Sequence, residues 1–248
     1  MNSAGLASWK PTLSTDEANR FIAGLLKDSF PFFVGRIGST EMQAMLRYQH
    51  RHSDSAQRKL IGFLKHGFLP FFSKFENRKF SRDSGFFPLT DRGIGKFLAL
   101  MSDSMESVDL LGSWLDGENL FEHRMRKARI TELGGIEPFF SRNPWTHALA
   151  GRKVVVIHPF ADSISQQYFQ NRSQIWKEKK LLPSFELRTV RAVQSLGRPA
   201  PGYQDWFEAL YWMYQEAIRT RTEVAIVGCG AYGFPLSAML KEAGLGVI

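Results

Sequence analysis

Three short segments set charged, polar and glycine residues where an apolar run stops, and these are the places where chemistry could sit. Arg36-Ile37-Gly38-Ser39-Thr40-Glu41 follows Pro31-Phe32-Phe33-Val34-Gly35; His158-Pro159-Phe160-Ala161-Asp162-Ser163 follows Lys153-Val154-Val155-Val156-Ile157; and Gly228-Cys229-Gly230-Ala231-Tyr232-Gly233 follows Glu223 to Val227. Each feeds an amphipathic stretch that reads as a helix, so each offers the free N–H groups and positive dipole end that favour an anion. Arg36 has the planar fork that suits phosphate, and Glu41, one turn into its helix, could hold a divalent cation or a sugar hydroxyl. A local Arg36–Glu41 pair complementing the dipole is the plainer alternative.

His158 closes a run of β-branched residues, so it sits at the rim of a sheet. There it could bond a diphosphate, orient a substrate hydroxyl or act as a base, and a structural histidine stands beside these readings. Asp162 or Ser163 is placed to cap the following helix. The third segment matches G-x-G-x-x-G, yet the acidic residue that a dinucleotide fold needs about 20 residues later has no place, because only fifteen residues follow Gly233. NAD is therefore not expected. The glycines serve a tight turn with close helix packing, or a phosphate or sugar contact.

The elements that must position these segments follow from periodicity. Ser14-Thr15-Asp16-Glu17 has capping-box spacing before a helix to Asp28, with Ala18, Phe21, Ile22 and Leu25 on one face. Phe32 to Arg36, Lys153 to His158 and Glu223 to Val227 read as strands, the second buried on both sides as in a parallel sheet. Weaker strands are expected at Val108 to Trp114, Arg129 to Thr131, Phe185 to Val190 and from Val247. Helices are expected after Ser39, around Ile94 to Met101, from Asp162, from Tyr203 to Ile218 and from Gly233 to Ala243. Strands alternating with helices imply one α/β domain over 1–248, Rossmann-like and doubly wound on a mainly parallel sheet, with ligands beyond the strand carboxyl ends. Residues 54–145, where the sheet signal thins and Phe is dense, read as a helical insertion or lid.

Composition narrows the classes. The chain has 248 residues, 44% hydrophobic and 23% charged, with 21 Phe, enough for a large core. Its one cysteine, Cys229, excludes an internal disulfide and a cysteine-built metal cage. The net charge of +8 favours anionic partners. The N-terminal residues lack the charged start and apolar stretch of a secretory leader, and the longest uncharged run, Val224 to Leu240, is broken by Gly228, Gly230, Gly233 and Pro235. A cytoplasmic protein without a membrane span is expected.

Arg36 to Glu41 resembles the Arg-(hydrophobic)-Gly-Asp-Gly-Glu element of the GT-D fold glycosyltransferases, bacterial enzymes that move a hexose from a nucleotide sugar. The block Val224 to Leu240, His158 to Ile164 and Leu182-Pro183-Ser184-Phe185-Glu186 resemble a divergent branch of them, loosely covering Phe33 to Ile248. The resemblance implies a nucleotide-sugar donor, UDP-linked by preference, and a glycan or glycoconjugate acceptor. Only Arg36 to Glu41 is an element with an assigned role in that family; together with the strand-end positions it gives Arg36, Gly38, Ser39, Thr40, Ser163, Gly228, Gly230 and Tyr232 as expected donor-binding residues, and Glu41, His158 and Asp162 as expected catalytic ones. The family's Asp-x-Glu pair is associated with metal, and here Ser39 replaces the Asp, so only Glu41 carries over. Mn²⁺ or Mg²⁺ is thus expected to bind weakly and with the donor. The branch continues past the position of residue 248 into a Gly-rich segment, implying a chain shortened at its last strand.

The rival class is a non-catalytic module for nucleic acid or another polyanion. Arg58 to Phe87 interleaves seven Lys and Arg with Phe63, Phe68, Phe71, Phe72, Phe75, Phe80, Phe86 and Phe87, as single-stranded nucleic-acid platforms do. Buried phenylalanines beneath solvated cations give the same pattern, and the usual nucleic-acid motifs are absent from the sequence.

Overall fold

The computed structural model describes residues 10–52, 80–178, 181–195 and 198–248. It is an α/β fold, Rossmann-like and doubly wound, on a sheet of seven parallel strands. The strands are β1 (Phe32–Gly35), β2 (Leu110–Ser113), β3 (Arg129–Glu132), β4 (Lys153–His158), β5 (Glu186–Arg191), β6 (Val224–Val227) and β7 (Gly246–Val247). Their order across the sheet is β3-β2-β1-β7-β6-β4-β5. The main helices are α1 (Thr15–Asp28), α2 (Ser39–His52), α3 (Asp91–Met105), α4 (Ala161–Ile175), α5 (Trp206–Arg219) and α6 (Gly233–Glu242).

Local sequence accounts for the helices. Before α1 the Glu17 carboxylate accepts the Ser14 N–H at 2.9 Å and the Ser14 hydroxyl at 2.6 Å, and Ala18, Ile22 and Leu26 are buried. Thr90 caps α3 by accepting the Gly93 N–H, and Asp205 caps α5 by accepting that of Glu208. Burial then divides by strand parity. Phe33, Leu111, Val155, Ile157, Ala225 and Val247 face one apolar layer with residues of α2, α3, α5 and α6. Phe32, Val34, Leu110, Val154 and Val224 face the other, with α1, Trp145 and Leu149. The α4 helix joins this second layer through Tyr168, whose ring lies 4.7 Å from that of Phe185. Alternate side chains of one strand thus serve opposite layers, as a sheet covered on both faces demands.

The connection after β4 therefore runs to α4 on one face, while that after β6 runs to α6 on the other. Such a divergence opens a crevice at the strand carboxyl ends.

One expectation is corrected. Residues 54–145 are not a helical insertion throughout: β2 and β3 complete one side of the same sheet, and α3 buries Phe97, Leu98 and Met101 in the main core. Their shortness, four residues each, kept the sheet signal weak. Of the basic, Phe-rich stretch, Phe80, Phe86 and Phe87 are core residues, with Phe86 and Phe97 rings 5.3 Å apart. Phe63, Phe68, Phe71, Phe72 and Phe75 lie outside the described residues. No helix among the described residues is long and apolar enough to cross a membrane.

Candidate functional site

The carboxyl ends of β1, β2, β4, β6 and β7 open onto one cavity of about 600 Å³. Its walls carry Arg36, Gly38, Ser39, Thr40 and Glu41 after β1, Trp114 after β2, His158 at the end of β4, and Gly228 and Gly230 after β6. Glu137, Pro138, Asp83 and the start of α6 complete it. The expected convergence of all three strand ends on one cleft therefore holds.

Gly38 is the hinge of the first segment. Its carbonyl accepts the Met42 N–H at 2.9 Å, which makes it the residue that starts α2. A Cβ there would stand 1.8 Å from Glu41 Oε2, so the missing side chain is the space into which the Glu41 carboxyl folds. Glu41 is buried, 7% exposed. Burial raises its pKa above the ordinary carboxyl value, opposed by its own backbone N–H and by the field of Arg36. Among the described residues Arg36 and Glu41 do not close into an ion pair; the Arg36 guanidinium instead lies over the Trp114 ring, 5.5 Å from its centroid. The dipole-complementing pair is replaced by a cation on an aromatic face, with the fork exposed to the cavity.

His158 has a defined tautomer in its neutral form. Its Nδ1 accepts the Phe160 N–H at 3.1 Å, which leaves the ring proton on Nε2. The ring packs over Gly228, where a Cβ would lie 2.7 Å from Cδ2. A neutral imidazole held this way donates from Nε2 and has no free lone pair for a base. It fits an acceptor oxygen, such as a phosphate or a leaving group, better than the general-base role considered from sequence.

Asp162 and Ser163 do not join the cavity. The α4 helix begins at Ala161, with Phe160, whose side chain has no acceptor, as its preceding residue; the Phe160 N–H goes to His158 Nδ1. Both residues therefore lie inside the first turn instead of capping it. Asp162 pairs with Arg191 on the surface, both side chains exposed.

Tyr232 is likewise a core residue. The short turn Gly230–Tyr232, with Gly230 at φ +62°, swings its ring inward onto Trp206, 4.6 Å away and nearly parallel. Its hydroxyl meets the Ser195 hydroxyl at 3.2 Å, and burial raises its pKa. Cys229 is buried, its thiol pushed up to about 12 by desolvation, which disqualifies it as a nucleophile.

A resident metal does not fit these side chains. Among the described residues no three His, Cys, Asp or Glu gather. Glu41 is a single carboxyl whose burial favours the protonated form, and a hard cation wants several charged oxygens. The cavity residues that sequence reasoning missed include Trp114, Asp83, Glu137 and Pro138. Trp114 ended a faint expected strand, which was the only signal available.

No protein-family profile, curated protein or solved structure matches this chain.

Proposed function

We propose that the cavity binds a nucleotide sugar, UDP-linked by preference, and that the chain is a cytoplasmic, bacterial-type glycosyltransferase moving the hexose to a glycan or glycoconjugate. The observation that supports this best is the convergence of Arg36, the first turn of α2, the Gly228–Gly230 turn and a donating His158 Nε2 on one cavity. Transfer from a nucleotide sugar requires stabilising the negative charge on the departing diphosphate, and fixed donors in a recessed site do this without reorganisation. Arg36 grips oxygens of the diphosphate, the N–H groups opening α2 take others, and His158 donates to the oxygen that gains charge. Glu41 holds a sugar hydroxyl, with its protonation set by burial. Mn²⁺ or Mg²⁺ is at most recruited together with the donor diphosphate. The similarity of Arg36 to Glu41 to the GT-D element adds its weight to this reading and names the hexose.

The test is a set of thermal melts with UDP, UDP-glucose, UDP-galactose and a single-stranded oligonucleotide added separately, since a ligand that binds only the folded state raises the transition. UDP and at least one UDP-hexose should raise it. A shift by the oligonucleotide alone would overturn the reading in favour of the polyanion-binding class. In Arg36→Ala, UDP affinity should fall about ten- to hundredfold, as for a lost charge-assisted contact. The melting temperature of the free protein should change little, because this side chain is exposed.

A further inference from the structure

The wall opposite His158 is built around a carboxylate that the cavity does not contain. Glu118 is fully buried, 0% exposed. Its Oε2 accepts the Ser113 hydroxyl, and the nearby backbone N–H groups of Trp114 and Leu115 favour its charged form against the burial that raises its pKa. Its Oε1 meets no partner among the described residues. A carboxylate buried with one oxygen unpaired destabilises a fold, so this one draws attention to what it holds, which is the turn that leaves β2. Trp114, on that turn, donates its Nε1–H to the Ile37 carbonyl at 2.9 Å, one residue beyond Arg36. The indole is thus held by its own N–H and follows Ser113, whose hydroxyl Glu118 holds, with its face toward Arg36.

We propose that Trp114 and Glu118 are positioning residues that hold Arg36 as a preformed phosphate fork: Glu118 fixes the turn through Ser113, Trp114 is the platform, and the Arg36 guanidinium sits over it with its N–H groups offered to the diphosphate oxygens. This rests on the anion-binding reading of the cavity. Arginine carries large rotamer entropy, and an aromatic face beneath the guanidinium removes part of that freedom before the ligand arrives. The edges of the planar group remain free, because stacking uses its face. The distinctive consequence is that the contributions of Trp114 and Arg36 to phosphate affinity are one contribution seen twice.

The experiment is calorimetric titration of the full chain with inorganic pyrophosphate and with UDP, for the wild type, Trp114→Ala, Trp114→Phe, Arg36→Ala and the Arg36→Ala/Trp114→Ala double variant. Trp114→Ala should weaken pyrophosphate about tenfold. Trp114→Phe, which keeps an aromatic face, should stay within about threefold of the wild type. The double variant should bind no more weakly than Arg36→Ala alone, the non-additivity expected of groups that act as a unit. Glu118→Gln, which retains an acceptor for the turn, should keep wild-type affinity, while Glu118→Ala should match Trp114→Ala. Unchanged affinity in Trp114→Ala, or full additivity in the double variant, overturns the proposal while leaving the anion site intact. A wild type that binds neither pyrophosphate nor UDP overturns the anion site itself, and the proposal with it.

Discussion

Glu41 shows most directly how one residue's surroundings set its chemistry. Its carboxyl occupies the space over Gly38 and is desolvated there, so the charged form is disfavoured in the folded state and the pKa rises above 4.5. For an acid whose folded value is raised, stability is greatest below the unfolded value and is lost as pH rises through the folded one. Glu118 shifts in the same direction, so the two must be separated by a difference measurement. Glu41→Gln should melt higher than the wild type at neutral pH, with the gap closing as pH falls to about 4.5. UDP binding in this variant should be no weaker, whereas turnover of the UDP-hexose should fall. A gap that does not change with pH would show that the Glu41 carboxyl is not held desolvated. Arg36, Gly38, Glu41 and His158 were legible because strand ends announce themselves by a change from apolar to polar text. Tyr232 and Asp162 were misplaced because a single short turn and a helix starting one residue early decide which way a side chain points. Neither event leaves a trace in residue type.

Elements explain why these residues meet. The β4 and β6 ends sit side by side, with Ile157 paired to Val227 and the Gly228 N–H donating to the Ile157 carbonyl at 2.9 Å. The His158 imidazole can cross to the neighbouring strand end only because Gly228 has no side chain. Adding one methyl in Gly228→Ala should push the ring off its seat and break the Nδ1 contact that fixes its tautomer. UDP affinity in Gly228→Ala should then drop about tenfold, equal to the loss in His158→Ala, and the double variant should lose no more. Retained affinity in Gly228→Ala alongside a loss in His158→Ala would show that the ring finds another seat. The strong strands β4 and β6 were readable from unbroken apolar runs, and the amphipathic helices α1, α3 and α5 from period, to within a few residues. The strands β2 and β3 were faint because each has four residues, with Gly112 in the first and the polar Arg129, Thr131 and Glu132 in the second leaving few apolar positions.

At the scale of the molecule, the cleft straddles a narrow seam. Arg36, Glu41 and Trp114 come from the β1–β2–β3 side of the sheet, and His158, Gly228 and Gly230 from the β6–β4–β5 side, with β7 as the strand that joins the two within the sheet. That strand offers two pairs to β1, Phe32 with Gly246 and Phe33 with Val247, and two to β6. Lys241 reinforces the junction, its ammonium 2.7 Å from Asp109 Oδ2, which also accepts the Phe33 N–H at 2.7 Å. Gly246 is required in the seam by contact, since a Cβ there would lie 2.4 Å from the Phe32 ring. Neither ring nor backbone can yield easily, because Phe32 is itself packed in the second apolar layer. Gly246→Val should therefore overpack the seam by about 2 kcal/mol and lower the melting temperature by roughly 4–8 °C for a chain of this length. If the two sides of the cleft are held in register by β7, UDP affinity must fall as well, although Gly246 touches no part of the cavity. Destabilisation with undiminished UDP affinity, measured well below the transition, would mean that one side of the sheet carries the binding site by itself.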